Sequence, residues 1–195
     1  MRQLLALEKF LSRIVMGIGR AGAWIAIPLM VIILFDVITR RFLVLGSTKL
    51  QEGEWHLHAM LFLLCMGFVY LKGGHVRIDL MREGMSSRTR NWVELFGCLL
   101  FAIPYCLIVA WFSIDFVERS WHLNEASDSA TGLPWRWAVK AFMPIGLFTL
   151  LLACIVVLLR RFIDLFGPPD FRRIVAEEEA QPEEKIDPVL PGQGR

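Results

Sequence analysis

Apolar and polar positions alternate along this chain on the scale of whole segments. The runs Leu95 to Ile114 and Ala141 to Leu159 contain no Asp, Glu, Lys or Arg. Ile14 to Phe35 is interrupted only by Arg20, and Trp55 to Leu71 keeps its two histidines in the first turn. A helix of ~20 apolar residues crosses a hydrocarbon core of ~30 Å, and a helix satisfies its own backbone there. The pattern predicts an all-α, integral membrane four-helix protein, with crossings at about 14–42, 53–72, 92–116 and 138–162 inside a membrane domain of residues 1–166.

The polar connections predict the finer elements. Leu4, Leu7, Leu11, Ile14 and Ile18 recur at helical spacing, with Glu8, Lys9 and Arg13 between them, as in an amphipathic helix leading into the first crossing. A cleaved signal does not fit, because the apolar run after Arg20 is too long and follows Ala21-Gly22-Ala23 where it should precede such a box. Gly46-Ser47-Thr48 supplies the first turn and Gly73-Gly74 ends the second helix. Val76, Ile78, Leu80, Met81 and Met85 alternate with Arg77, Asp79, Arg82 and Glu83 in a short amphipathic segment suited to the membrane surface.

Asn91 with Glu94 reads as a capping box for the third crossing, which Pro104 should kink, while Pro144 sits near the start of the fourth. Residues 115–140 form the longest outer connection, with Ser127 to Gly132 its most turn-like part. Trp111, Trp121, Trp135 and Trp137 crowd the same level, as expected at a membrane-water boundary. The acidic, proline-bearing residues 167–195 lack a periodic apolar pattern and are expected to be a disordered cytoplasmic tail.

Composition and charge sharpen this picture. Of 195 residues, 55% are hydrophobic and 21% charged, and the mean hydropathy of +0.51 is too apolar for an ordinary soluble domain. Lys and Arg concentrate in the N-terminal arm, in the second connection and after the last run, which assigns those parts and both termini to the cytoplasm. The net charge of +2 combines these basic residues with an acidic tail and implies no nucleic-acid partner. Cys65, Cys98, Cys106 and Cys154 all fall inside crossings, as small apolar residues do.

Candidate chemistry is sparse. Asp36 and Arg40 share one helix face at the end of the first crossing, as a paired, partly wet helix end or a polar anchor facing a partner. Glu52, Glu54, His56 and His58 alternate, but steps of two scatter round a helix, so two acid–histidine pairs at i,i+4 fit better than a metal quartet. A haem-binding bundle lacks a second inner histidine, and a self-sufficient multidrug-type carrier lacks a deep ionisable site. No nucleotide loop, G-x-S-x-G or kinase motif supports catalysis, and no cofactor or metal is expected.

Five pieces occur in order: Asp36-Val37-Ile38-Thr39-Arg40, Leu50 to His56, Gly74-His75-Val76-Arg77-Ile78-Asp79, Leu133-Pro134-Trp135 and Pro144-Ile145-Gly146. Together on a four-span scaffold they resemble the small membrane subunit of tripartite ATP-independent periplasmic (TRAP) transporters, in the mannitol/chloroaromatic-like branch. In the commoner members a Trp stands about where Gln51 does, ahead of an acid, whereas here Trp55 follows Glu54. The resemblance implies a subunit that binds no substrate itself and braces a large membrane subunit, in secondary active, ion-gradient-driven uptake of small, organic-acid-like solutes. A periplasmic substrate-binding protein would deliver the solute. The implied partner anchors are Asp36, Arg40, Glu54, Trp55, His75, Arg77 and Asp79, with membrane lipids gripped by tryptophans and surface helices.

Overall fold

The computed structural model describes residues 1–43, 46–73 and 84–180. The described residues form α1 (Arg2–Ala23), α2 (Ala26–Phe42), α3 (Thr48–Leu71), α4 (Ser87–Gly97), α5 (Ile103–His122), α6 (Arg136–Lys140), α7 (Phe142–Phe166) and α8 (Pro169–Ala180). Four stretches are long and apolar enough to cross a membrane: Arg2–Phe42, Thr48–Leu71, Ser87–His122 and Arg136–Phe166. The protein is therefore an all-α, multi-pass membrane protein.

The amphipathic helix and the first apolar run follow one course, interrupted only at Trp24–Ile25. Pro28 explains the interruption, because it has no N–H to give the Trp24 carbonyl four residues earlier. The chain tightens there through Ile25 N–H to Gly22 O (3.0 Å) and Ile27 N–H to Trp24 O (3.2 Å). Beyond the break the direction holds: Gly19 lies against Phe68, Gly22 against Leu64 and Gly53 against Ile32, so α1 and α2 together run antiparallel to α3.

The contact between α3 and α7 is the most extensive in the molecule, and the two helices run in the same direction. Two glycines allow it. A Cβ on Gly67 would stand 2.8 Å from the Thr149 carbonyl oxygen, and one on Gly146 would stand 2.7 Å from the Leu63 carbonyl oxygen. Small residues let backbones approach this closely, which is how helices gain dispersion contacts where lipid removes the hydrophobic driving force. The central helix is α7, with Ala153, Cys154, Val156 and Ile163 buried. It packs against α1, α3 and α5, while α2 packs chiefly on α3. The result is a row, α2–α3–α7–α5, with α1 filling the angle between α3 and α7 at one end.

The third crossing handles Pro104 by a π-helical turn over Cys98–Ala102, closed by Ile103 N–H to Cys98 O. That turn moves the unmatched carbonyls ahead of the proline off the regular ladder, so the helix continues to His122. The expected capping box does not form. The helix starts earlier, at Ser87, where the Ser86 hydroxyl accepts from Thr89 N–H at 3.2 Å, and Glu94 is recruited elsewhere. The connection expected over residues 115–140 is shorter, since α5 extends to His122 and α6 begins at Arg136.

The structure also departs from the expected tail. Residues 169–180 form α8, opened by Pro169 at a position that needs no N–H donor, with Val175 fully buried. The amphipathic segment expected at 76–85 falls mostly outside the described residues, as does the tail beyond Ala180. Gly73, with φ +69°, closes α3 as expected.

Candidate functional site

Charge collects at the two ends of the row. The stretches 21–35, 59–71, 95–114 and 141–159 between the ends contain no Asp, Glu, Lys, Arg or His.

At the end where α2 meets α3, Asp36 and Arg40 are brought together as their spacing predicts, at 2.5 Å. Asp36 is buried, and its Oδ1 has no hydrogen-bond partner among the described residues. With the Gln51 amide oxygen turned inward, it accepts from Arg40 Nη2 at 2.9 Å and Nη1 at 3.0 Å, tying α2 to the start of α3. One turn of side chains thus links two crossings.

The neighbouring acid that matters is Glu52, which sequence reasoning paired with His56. It is buried and accepts from the Ser127 hydroxyl and from Leu133 N–H at 2.6 Å. Ser127 in turn accepts from Ser129 N–H (3.1 Å) and donates its own N–H to Leu133 O (3.1 Å). Gly132 is required here, because a Cβ would sit 2.2 Å from Ser127 Cβ and 2.8 Å from Glu52 Oε2. Charge-assisted bonds of this kind are about twice as strong as neutral ones, so one carboxylate holds the 123–135 loop onto α3. Lys140 pairs with Glu125, lies 3.9 Å above the Phe116 ring and keeps the Glu125 carboxyl below its usual range. Arg136 reaches Asp128 at 3.6 Å and Glu125 at 3.9 Å, and Trp121 meets Trp137 edge-on at 4.3 Å. The 123–135 connection is a braced platform.

Glu54 is half-buried without a polar partner among the described residues, and Trp55 is exposed on the same helix. Neither joins the Glu52 cluster. His75, Arg77 and Asp79 lie outside the described residues.

The opposite end holds a second cluster that sequence reasoning did not single out. Arg160 of α7 donates to Glu8 of α1 at 2.8 Å and to Ser12 at 3.4 Å, with Glu8 fully buried and Arg160 nearly so. Arg161 lies 2.6 Å from Glu94 of α4, 2.8 Å from Asp164 and 2.7 Å from Glu179 of α8. The Glu94 contact is one of charge, since Arg161 Nε makes no aligned hydrogen bond. Lys9 meets Glu178 at 2.9 Å, and Arg172 donates to Gly167 O at 2.8 Å. Two adjacent arginines therefore join four helices. One signal was available: Glu8 stands in the apolar stripe of Leu4, Leu11 and Val15, where an acid needs a buried partner.

Between the clamped ends, both flanks are apolar and open. Met30, Val31, Leu34 and Ile38 of α2, Phe101 of the π-helical turn and Tyr105, Trp111 and Phe112 of α5 are all more than half exposed. Such belts belong against lipid or another membrane protein. Charge at both ends, no Asp, Glu, Lys, Arg or His in the mid-depth stretches and two bare apolar flanks describe a membrane-embedded component. Residues 29–164 match the family model of tripartite ATP-independent periplasmic transporters, DctQ component, and the chain belongs to that family. It is thus the small permease subunit of a TRAP transporter. Other members work with a large membrane subunit and a periplasmic binding protein. No curated protein and no solved structure matches the chain significantly.

Proposed function

We propose that this subunit is the fixed frame against which the large membrane subunit moves, in ion-gradient-driven uptake of a small, organic-acid-like solute delivered by a periplasmic binding protein. The observation that carries this reading is the distribution of charge: the described ion pairs lie at the ends, most of them binding helix to helix or bracing a loop, and the mid-depth stretches hold no Asp, Glu, Lys, Arg or His. A frame needs stiffness and a wide apolar flank, and a carrier needs a deep polar site. Asp36 with Arg40, and Glu54 with the exposed Trp55, are the anchors proposed for the partner at one end. His75, Arg77 and Asp79 are proposed at the other. The subunit acts without catalysis or cofactor of its own.

Lys and Arg excess supports an inner-membrane orientation with both termini in the cytoplasm. Asp128, with its side chain 98% exposed, and Ser87, also exposed, are suitable positions for single cysteines. Asp128→Cys is expected to label from outside intact cells and Ser87→Cys to stay protected; the reverse would invert the topology.

Proteoliposomes containing the large subunit and the binding protein should take up solute only when this chain is present, and the chain alone should give no flux. Flux from the chain alone would replace the frame with an autonomous carrier.

A further inference from the structure

We propose that the exposed face of α1 carrying Arg13 and Arg20, extended by Arg2, binds anionic phospholipid headgroups. The site depends on the membrane fold alone and not on the frame role. Arg2, Lys9, Arg13 and Arg20 follow at intervals of seven, four and seven residues, so at 3.6 residues per turn they form one narrow stripe along the helix. All four are exposed. Lys9 is engaged by Glu178, whereas Arg2, Arg13 and Arg20 make no ion pair among the described residues.

The rest of α1 explains why a lipid fits. Glu8, Val15, Gly19 and Gly22 form a buried stripe against α3 and α7. Leu7 and Phe10, 45% and 59% exposed, occupy a separate sector between the buried and basic stripes. The helix therefore presents three faces: one for the protein core, one apolar and open, and one cationic. A phospholipid offers the matching pair of acyl chain and phosphate.

The level also fits. Gly19 lies against Phe68, which puts Arg20 within a turn of the end of α3 at Leu71, and no charge follows Arg20 until Asp36. Arg20 thus marks the edge of the hydrocarbon. Arg13 is two turns away, ~10 Å along the axis, comparable with an interfacial layer of roughly 5–8 Å plus the reach of an arginine on a tilted helix. Guanidinium forks grip phosphate oxygens in pairs, and their stems lie along apolar surface.

The test is native mass spectrometry of the full chain in mild detergent doped with phosphatidylglycerol or phosphatidylcholine. Wild type should retain phosphatidylglycerol preferentially. Arg13→Gln with Arg20→Gln should weaken that retention about 25-fold, at about five-fold per arginine near an anionic surface. Arg88→Gln with Arg90→Gln, which removes two exposed arginines of α4, should leave it unchanged, and circular dichroism should show all variants folded. Unchanged retention in the α1 variant, equal loss in the α4 variant or equal retention of phosphatidylcholine would each overturn the proposal. Displacement by millimolar inorganic phosphate at constant ionic strength would also overturn it, by reassigning the face to a free anion.

Discussion

Replacing Arg160 by Met tests how α7 is held to α1. Glu8 is fully buried and accepts from Arg160 Nε at 2.8 Å, while Glu8 Oε2 has no hydrogen-bond partner among the described residues. Removing one member of a buried pair leaves an uncompensated charge, at a cost of about 3–5 kcal/mol. For a chain of this size that lowers the unfolding temperature by roughly 6–20 °C. Replacing both members, Glu8→Met with Arg160→Met, removes the stranded charge and fills similar volume, so most of the lost stability should return. The measurement is unfolding of the full chain in one detergent, followed by circular dichroism, for wild type, both single variants and the double variant. Simple addition of the two single losses in the double variant would show that Glu8 and Arg160 do not act as a buried pair, and the account of this end would fail.

Other outcomes follow from the same contacts. Glu52→Gln should raise hydrogen exchange at the Leu133 amide and across 123–135 without unfolding the crossings, because one carboxylate binds that loop to α3; unchanged exchange would refute the clamp. Gly146→Val should cost about 1–3 kcal/mol by driving a side chain into the Leu63 carbonyl, measured by the same unfolding assay, whereas a valine at open Gly17 should not. Ending the chain at Gly167 removes Glu178 and Glu179 from Lys9 and Arg161, so co-purification with the large subunit or thermal stability should fall; full retention of both would make α8 dispensable. The Lys140 ammonium holds the Glu125 carboxyl below its usual range, so its contribution is present above the unfolded carboxylate pKa and lost as pH falls through the lower folded value. Exchange in the loop should therefore rise on acidification, and Lys140→Met should flatten that response.

The sequence alone determined the class of molecule. Uncharged runs such as 95–114 and 141–159 have one stable home, because bilayer hydrocarbon accepts few other solutions, and that constraint is local enough to read residue by residue. The Asp36–Arg40 pair was legible for the same reason, since partners four apart on a helix need no knowledge of the fold. Gly73 as the end of α3 was equally local. The ordered motifs from Asp36 to Gly146 also pointed to the family that residues 29–164 match.

Tertiary structure decided everything that joins distant segments. Glu52 is separated by 75 residues from Ser127 and by 81 from Leu133, so a reading limited to one helix assigned it to His56. Arg160 and Glu8 are 152 residues apart, and nothing local says that the end of the last crossing returns to the first turns of the chain. The helix at 169–180 has weak apolar periodicity, and its order comes from docking Val175 and its glutamates onto arginines supplied by another helix. Local pattern sets which segments enter the membrane, because solvation acts on each segment by itself. Which charges neutralise one another depends on how helices cross, and that is a property of their packing.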